Sequence, residues 1–152
     1  MNSNFDDILS HKQAETLRAA LARIIPEDDY PSACDSGVDV FIAGLLRNEQ
    51  REIVPSYREG LDALVRESIA AYGQAFATLD ASNQDAVLSL IERGQTTVDW
   101  ATPPTEFFTI LVNHTMDGYY GVANAESDGS YPVWEMVGFE PHWTIRAPES
   151  VP

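Results

Sequence analysis

Apolar residues recur at helical spacing along the first four-fifths of the chain, and each run is punctuated by a cap, a proline or a glycine. Ser10-x-x-Gln13 has the form of a capping box. Leu17, Leu21, Ile24 and Ile25 follow on one face, and Pro26 ends the helix because the residue before a proline is driven out of helical geometry. A polar bend, Glu27 to Pro31, separates it from a second helix expected from about Ala33 to Arg47. There Val38, Phe41, Ile42, Leu45 and Leu46 form one apolar stripe. Ser56-x-x-Glu59, just after Pro55, has the form of another capping box and opens a third helix. Its stripe is Tyr57, Leu61, Leu64, Val65, Ile69 and Tyr72, and Gly73 is its stop. Phe76 and Leu79 lie in a connector. Asp80 caps a fourth helix carrying Val87, Leu90 and Ile91, which Gly94 closes. Thr102-Pro103-Pro104 reads as a cap and a proline-tolerant first turn. Phe107, Phe108, Leu111, Val112, Met116, Tyr119 and Tyr120 then make a face wide enough to be covered on more than one side, with Gly118 weakening the last turn and Gly121 ending it.

From Val122 the periodicity is lost amid Gly, Pro, Ser and Asp. The same stretch holds Trp134, Met136, Val137, Phe139 and Trp143, more aromatic weight than a disordered tail carries. A strand pattern is confined to Val133 to Val137. The pattern therefore predicts an all-α fold: about five helices in a compact bundle with a long irregular aromatic-rich C-terminal segment. Residues 1–9 form an N-terminal arm, 10–121 the helical domain, and 122–152 a segment that packs on the domain or on a partner.

Composition fits one ordinary domain. Of 152 residues, 44% are hydrophobic and 22% charged, and a chain of that length buries about 68–70% of its unfolded surface. Charge changes the picture more. Asp and Glu number 24 against 9 Lys and Arg, a net charge of -15. Phosphate backbones and anionic membranes repel such a surface, which argues against nucleic-acid binding and direct membrane insertion. Solubility is the plain reading of the charge, and steering toward a basic partner the sharper one. Cys34 stands alone, as a small buried apolar residue or as a thiol at a helix start. No stretch approaches the roughly 18 apolar residues of a membrane span. The first residues, Met1 to Asp7, carry neither the basic nor the apolar region of a secretory signal. The expected location is cytoplasmic as the sequence stands, and periplasmic if a signal was removed or is carried by a partner.

Candidate chemistry is thin. Asn124-x-Glu126-x-Asp128-Gly129 with Glu135 spans a calcium loop of EF-hand length. Asn replaces the usual first Asp, Tyr131 stands where an aliphatic residue belongs, and Pro132 interrupts the exiting helix, so an Asp-Gly turn accounts better for the stretch. His11, His114 and His142 match no zinc spacing, and His114, near the aromatic face, reads as a core or interface histidine. Asp28-Asp29 reads as a solvated turn, and Asn113-His114-Thr115 as a sequon set mid-helix. No nucleophile elbow, Walker loop or dinucleotide fingerprint occurs. The expectation is no catalytic, cofactor-binding or metal residue in this chain. The aromatics Tyr119, Tyr120, Trp134, Phe139 and Trp143 are expected to bind a partner, because large rigid rings dominate interface centres.

Longer runs carry a resemblance. Leu17 to Pro26 with Asp28-Asp29 and Pro31 opens it. Gly37-Val38, Phe41-Ile42, Leu45-Leu46, Gly60-Leu61, Leu64, Tyr72-Gly73, Phe76 and Leu79 extend it. Phe107-Phe108, His114-Thr115-Met116-Asp117-Gly118-Tyr119-Tyr120-Gly121 and Trp134 to Pro141 complete it. Together they cover most of residues 16–141, and the chain resembles the gluconate 2-dehydrogenase subunit 3 family. It departs from the family in showing no twin-arginine signal, and in the sequence of Val122 to Val133 where relatives have a Gly-Gly-Asn turn. The resemblance implies a non-catalytic small subunit without flavin. Such a subunit binds a large FAD-carrying dehydrogenase of the glucose–methanol–choline type, acting on a sugar, glycoside or sugar acid, and supports its folding, stability or export. It leaves room for a cytochrome subunit in the same complex. Two rival readings are a free-standing helical binding or regulatory domain with a calcium-responsive loop, and an enzyme built on His114.

Overall fold

The Ser10 hydroxyl accepts from the Gln13 backbone N–H at 3.0 Å, while the Gln13 side chain accepts from the Ser10 N–H at 2.9 Å. This reciprocal cap opens α1, His11–Ile24. The computed structural model describes residue 5 and residues 7–26, 32–33 and 37–120. Within them four more helices follow: α2 Val38–Arg47, α3 Val54–Tyr72, α4 Ala81–Glu92 and α5 Pro104–Tyr120. Short 3-10 turns at Arg51–Ile53 and Phe76–Thr78 lead into α3 and α4, and no strand occurs among the described residues. The fold is all-α.

α5 touches each of the other four helices, and α1 packs on α3, α4 and the Phe76 turn. The apolar stripes meet between them. Leu17 and Leu21 of α1, Ile42 and Leu46 of α2, Leu61 and Leu64 of α3, Val87 and Ile91 of α4, and Phe107 and Leu111 of α5 are all buried. Asp80 caps α4, accepting from the Asn83 N–H at 2.8 Å. Gly73 closes α3 with φ of +75°, a conformation that glycine adopts without the Cβ penalty.

Three boundaries or faces differ from the sequence pattern. α2 starts at Val38 rather than Ala33, because Gly37 at φ +86° stands before it and Ala33 is used otherwise. The Ala33 N–H pairs with the Ile25 carbonyl and its own carbonyl accepts from Val38, which ties the entry of α2 to the end of α1. Second, Ser56 and Glu59 form no capping box. α3 starts two residues earlier at Val54 with Pro55 in its first turn, and the carbonyls of Gln50 and Arg51 accept from the Ile53 and Val54 N–H groups. The Ser56 hydroxyl instead meets Thr102 at 3.4 Å, and Glu59 accepts from the Ala101 N–H at 3.2 Å. Thr102 is thereby drawn away from the start of α5, where the Pro103 carbonyl takes the Phe107 N–H. Third, the inward face of α3 is Tyr57, Gly60, Leu61, Leu64, Glu67 and Ser68, whereas Ile69 and Tyr72 are 51% and 41% exposed.

Gly118 does more than weaken the end of α5. A Cβ there would lie 2.8 Å from the Phe41 ring and 3.1 Å from Val38, so its missing side chain is what lets α5 approach α2.

Candidate functional site

The run from His114 to Tyr120 forms the last turns of α5. Residues at i, i+1, i+4 and i+5 share the inner face of a helix. Accordingly His114, Thr115, Gly118 and Tyr119 are buried, while Met116 and Tyr120 are half-buried and Asp117 is exposed. The Thr115 hydroxyl donates to the Leu111 carbonyl at 2.7 Å, so it needs no partner from outside the helix.

His114 is the chemical centre of that face. Its Nδ1 lies 2.7 Å from the Tyr57 hydroxyl and its Nε2 lies 3.0 Å from Oε1 of Gln50. An amide oxygen can only accept, so Nε2 carries the proton and donates to it, while Nδ1 accepts from the Tyr57 O–H. The two rings also stack, with centroids 5.7 Å apart and planes at 14°. Burial lowers the His114 pKa, and the nearby Asp117 charge opposes that only in part. Burial likewise raises the Tyr57 pKa far above its ordinary value. The pair is thus a neutral hydrogen-bonded lock between α3, α5 and the segment before α3. Both ring nitrogens are engaged within the fold, and the residue is 7% exposed.

Two results follow. Tyr57→Phe removes the only described donor to Nδ1 and leaves a buried acceptor unpaired, costing about 1–2 kcal/mol of stability in urea denaturation at pH 7.5. An unchanged urea midpoint would mean that the hydroxyl carries no net stabilisation. Because the folded state holds His114 below its unfolded pKa, its contribution is full above about pH 6.5 and declines as pH falls through that value.

A second buried polar centre is Glu67, which the sequence pattern did not mark. It is 0% exposed on the inner face of α3. Its carboxylate accepts from the Thr97 N–H and hydroxyl, both at 2.8 Å, from the Val98 N–H at 3.3 Å and from Trp100 Nε1 at 3.4 Å. Burial pushes the carboxyl pKa up, but these donors outweigh it and hold it below its ordinary value. The carboxylate thereby pins residues 97–100 of the α4–α5 connection to α3. The only available signal was its register, three residues after Leu64 and ten after Tyr57.

Of the expected partner-binding residues, Tyr119 is 1% exposed within the core and Tyr120 half-buried beside it, ring edge to ring face at 5.3 Å. Trp134, Phe139 and Trp143 lie outside the described residues, as do the calcium-like loop at 124–135, Cys34, Asp28-Asp29 and His142. Among the described residues no group of three or more His, Cys, Asp or Glu side chains is placed to hold a metal, and no helix is long and apolar enough to cross a membrane.

The family model described as gluconate 2-dehydrogenase subunit 3 matches residues 11–141. The chain belongs to that family. No curated protein and no solved structure matches it. The match begins at the first residue of α1, takes in all five helices and continues past α5. Trp134 and Phe139 fall inside it and Trp143 beyond it. As a gluconate 2-dehydrogenase subunit 3 family member, the chain is an accessory subunit of a dehydrogenase complex. In this member the His-Thr-x-x-Gly-Tyr run is a packing device: it seats α5 on α2 and α3.

Proposed function

We propose that this chain is the non-catalytic small subunit of an FAD-dependent sugar, glycoside or sugar-acid dehydrogenase. In this reading it binds a large flavoprotein of the glucose–methanol–choline type and stabilises it or helps it to mature. The observation that carries the reading is the family match over residues 11–141. The state of His114 supports it, since the one buried histidine of the described core is locked in a neutral hydrogen-bonded pair. The FAD belongs to the partner, and a cytochrome subunit fits the same complex. The location follows the partner: cytoplasmic, or periplasmic where the large subunit carries an export signal. Tyr120, Trp134, Phe139 and Trp143 are the contacts proposed at the interface centre, with Tyr119 setting the position of Tyr120 from beneath.

The test is a pull-down of the tagged full chain from its native host, with an absorbance spectrum of the eluate. A larger co-eluting chain with flavin bands and sugar-oxidising activity is the expected result. Replacing Trp134, Phe139 and Trp143 together by alanine is expected to lose that chain. A colourless eluate holding the small chain alone would overturn the reading and turn attention to the free-standing, calcium-responsive domain, which calcium calorimetry would then examine.

A further inference from the structure

Basic side chains are scarce here, with 9 Lys and Arg against 24 Asp and Glu. Three of those nine, Arg47, Arg51 and Arg58, line one hollow of about 390 Å³ where α2 ends and α3 begins. Its lining is mixed: beside the arginines, Asp7 and Asn48 it includes buried Ile8 and Leu46 and half-buried Val54.

Arginines elsewhere in the described chain are engaged. Arg18 pairs with Asp39 and Arg23 with Asp85, each at 2.9 Å, Arg66 holds the Asp99 carbonyl at 2.9 Å, and Arg93 holds Ser89 at 2.8 Å. In the hollow the compensation is incomplete. Arg58 donates through Nε to the Ile8 carbonyl at 2.7 Å, which fixes its guanidinium while leaving the terminal amino groups for another acceptor. Arg47 reaches Asp7 at only 3.3 Å, with the aspartate side chain 78% exposed. No hydrogen bond or ion pair engages the Arg51 side chain among the described residues. Among the described residues, one carboxylate, Asp7, lines the hollow with three guanidinium groups. The partial charges of the α2 C-terminus and the α3 N-terminus are of opposite sign and largely offset, which leaves the local potential to the charged side chains.

We propose that this hollow binds a small organic carboxylate, a monoanionic head on a short apolar stem. The head sits between Arg47 and Arg51, whose planar forks match a carboxylate, and the stem lies over Leu46 and Val54. The volume is at the small end of ligand sites, which favours a compact ligand over an extended one. The apolar atoms that Ile8, Leu46 and Val54 contribute to the lining favour a stem-bearing acid over a bare inorganic anion. This inference does not depend on the dehydrogenase reading.

The experiment titrates the full chain, methyl- and amide-labelled for NMR, with sodium hexanoate, hexanamide and inorganic phosphate at one fixed ionic strength. Hexanoate is expected to give saturable shifts at Ile8, Leu46 and Val54, with hexanamide giving none and phosphate binding more weakly. Arg51→Gln is expected to weaken hexanoate about tenfold, the loss of one charge-assisted contact, and Arg47→Gln comparably. Arg93→Gln, on another surface, serves as the unchanged control. Arg58 is left intact because it also holds the Ile8 carbonyl. Any one of these results overturns the proposal: no saturable response to hexanoate, an equal response to hexanamide, phosphate binding as tight as hexanoate, or undiminished hexanoate binding in Arg51→Gln.

Discussion

Glu67→Ala is expected to destabilise the chain by about 3–5 kcal/mol, the largest single effect on its fold. Truncation leaves the Thr97 and Val98 amides and the Trp100 indole N–H without their acceptor in a part-buried site. An unpaired donor costs about 1–3 kcal/mol when buried and less where water reaches it, as at exposed Thr97, and the four bonds share one carboxylate, so their losses do not simply add. Glu67→Gln is expected to be milder, since it keeps one acceptor oxygen while turning an amino group toward other donors. Urea denaturation at neutral pH measures the global loss. Hydrogen exchange at the Thr97 and Val98 amides reads the local one, and both amides are expected to exchange faster in either variant. Acid acts on the same group. The folded carboxyl pKa is below the unfolded value of about 4.3, so its contribution is complete above that pH and is lost as pH falls through the folded value. Wild-type stability is therefore expected to fall more steeply below about pH 4.3 than that of Glu67→Gln. A Glu67→Ala chain as stable as the wild type would mean that the α4–α5 connection is held by apolar contacts alone.

Gly60→Ala is expected to destabilise by about 2–3 kcal/mol, although the same change in an exposed helix stabilises by about 1 kcal/mol. The reason is contact. A Cβ at position 60 of α3 would overlap the ring carbons of Phe107 on α5. That ring has little room to retreat, being set edge-on to Tyr57 at 6.0 Å and against Trp100 at 5.9 Å. Displacing it strains both polar centres at once, since Tyr57 holds His114 and Trp100 reaches Glu67. Thermal or urea denaturation measures the loss. Shrinking the opposing ring supplies the internal check: Phe107→Leu is expected to cost less in the Gly60→Ala background than in the wild type, because the two sites are coupled. Strict additivity of the two substitutions would locate the damage elsewhere than this contact.

Both expectations concern positions that the hydrophobic pattern did not single out. What the sequence determined by itself was local. A 3.6-residue period places Leu17 with Leu21 and Ile42 with Leu46 on one helical face, whatever those faces later meet. Ser10 with Gln13 and Asp80 open their helices and Gly73 closes its own through groups a few residues away, and the structure uses all of them as their chemistry requires. Family membership was legible for the same reason, since it rests on ordered runs such as His114 to Gly121. Ser56 and Glu59 show where local reading stops. Their spacing satisfies the capping-box rule, but a 3-10 turn already supplies the start of α3, so both side chains turn to the α4–α5 connection instead. Ile69 and Tyr72 keep helical spacing yet emerge at the surface, because the inner face of α3 passes to Glu67 and Ser68 beneath the connection. The tertiary structure alone decided which nitrogen of His114 is protonated, what Glu67 holds, why Gly60 and Gly118 must lack a side chain, and that Arg47, Arg51 and Arg58 converge on one hollow. Each depends on groups brought together from different helices and connections, and a hydrogen bond or a close approach is fixed by distance in space, which residue order along one helix does not encode.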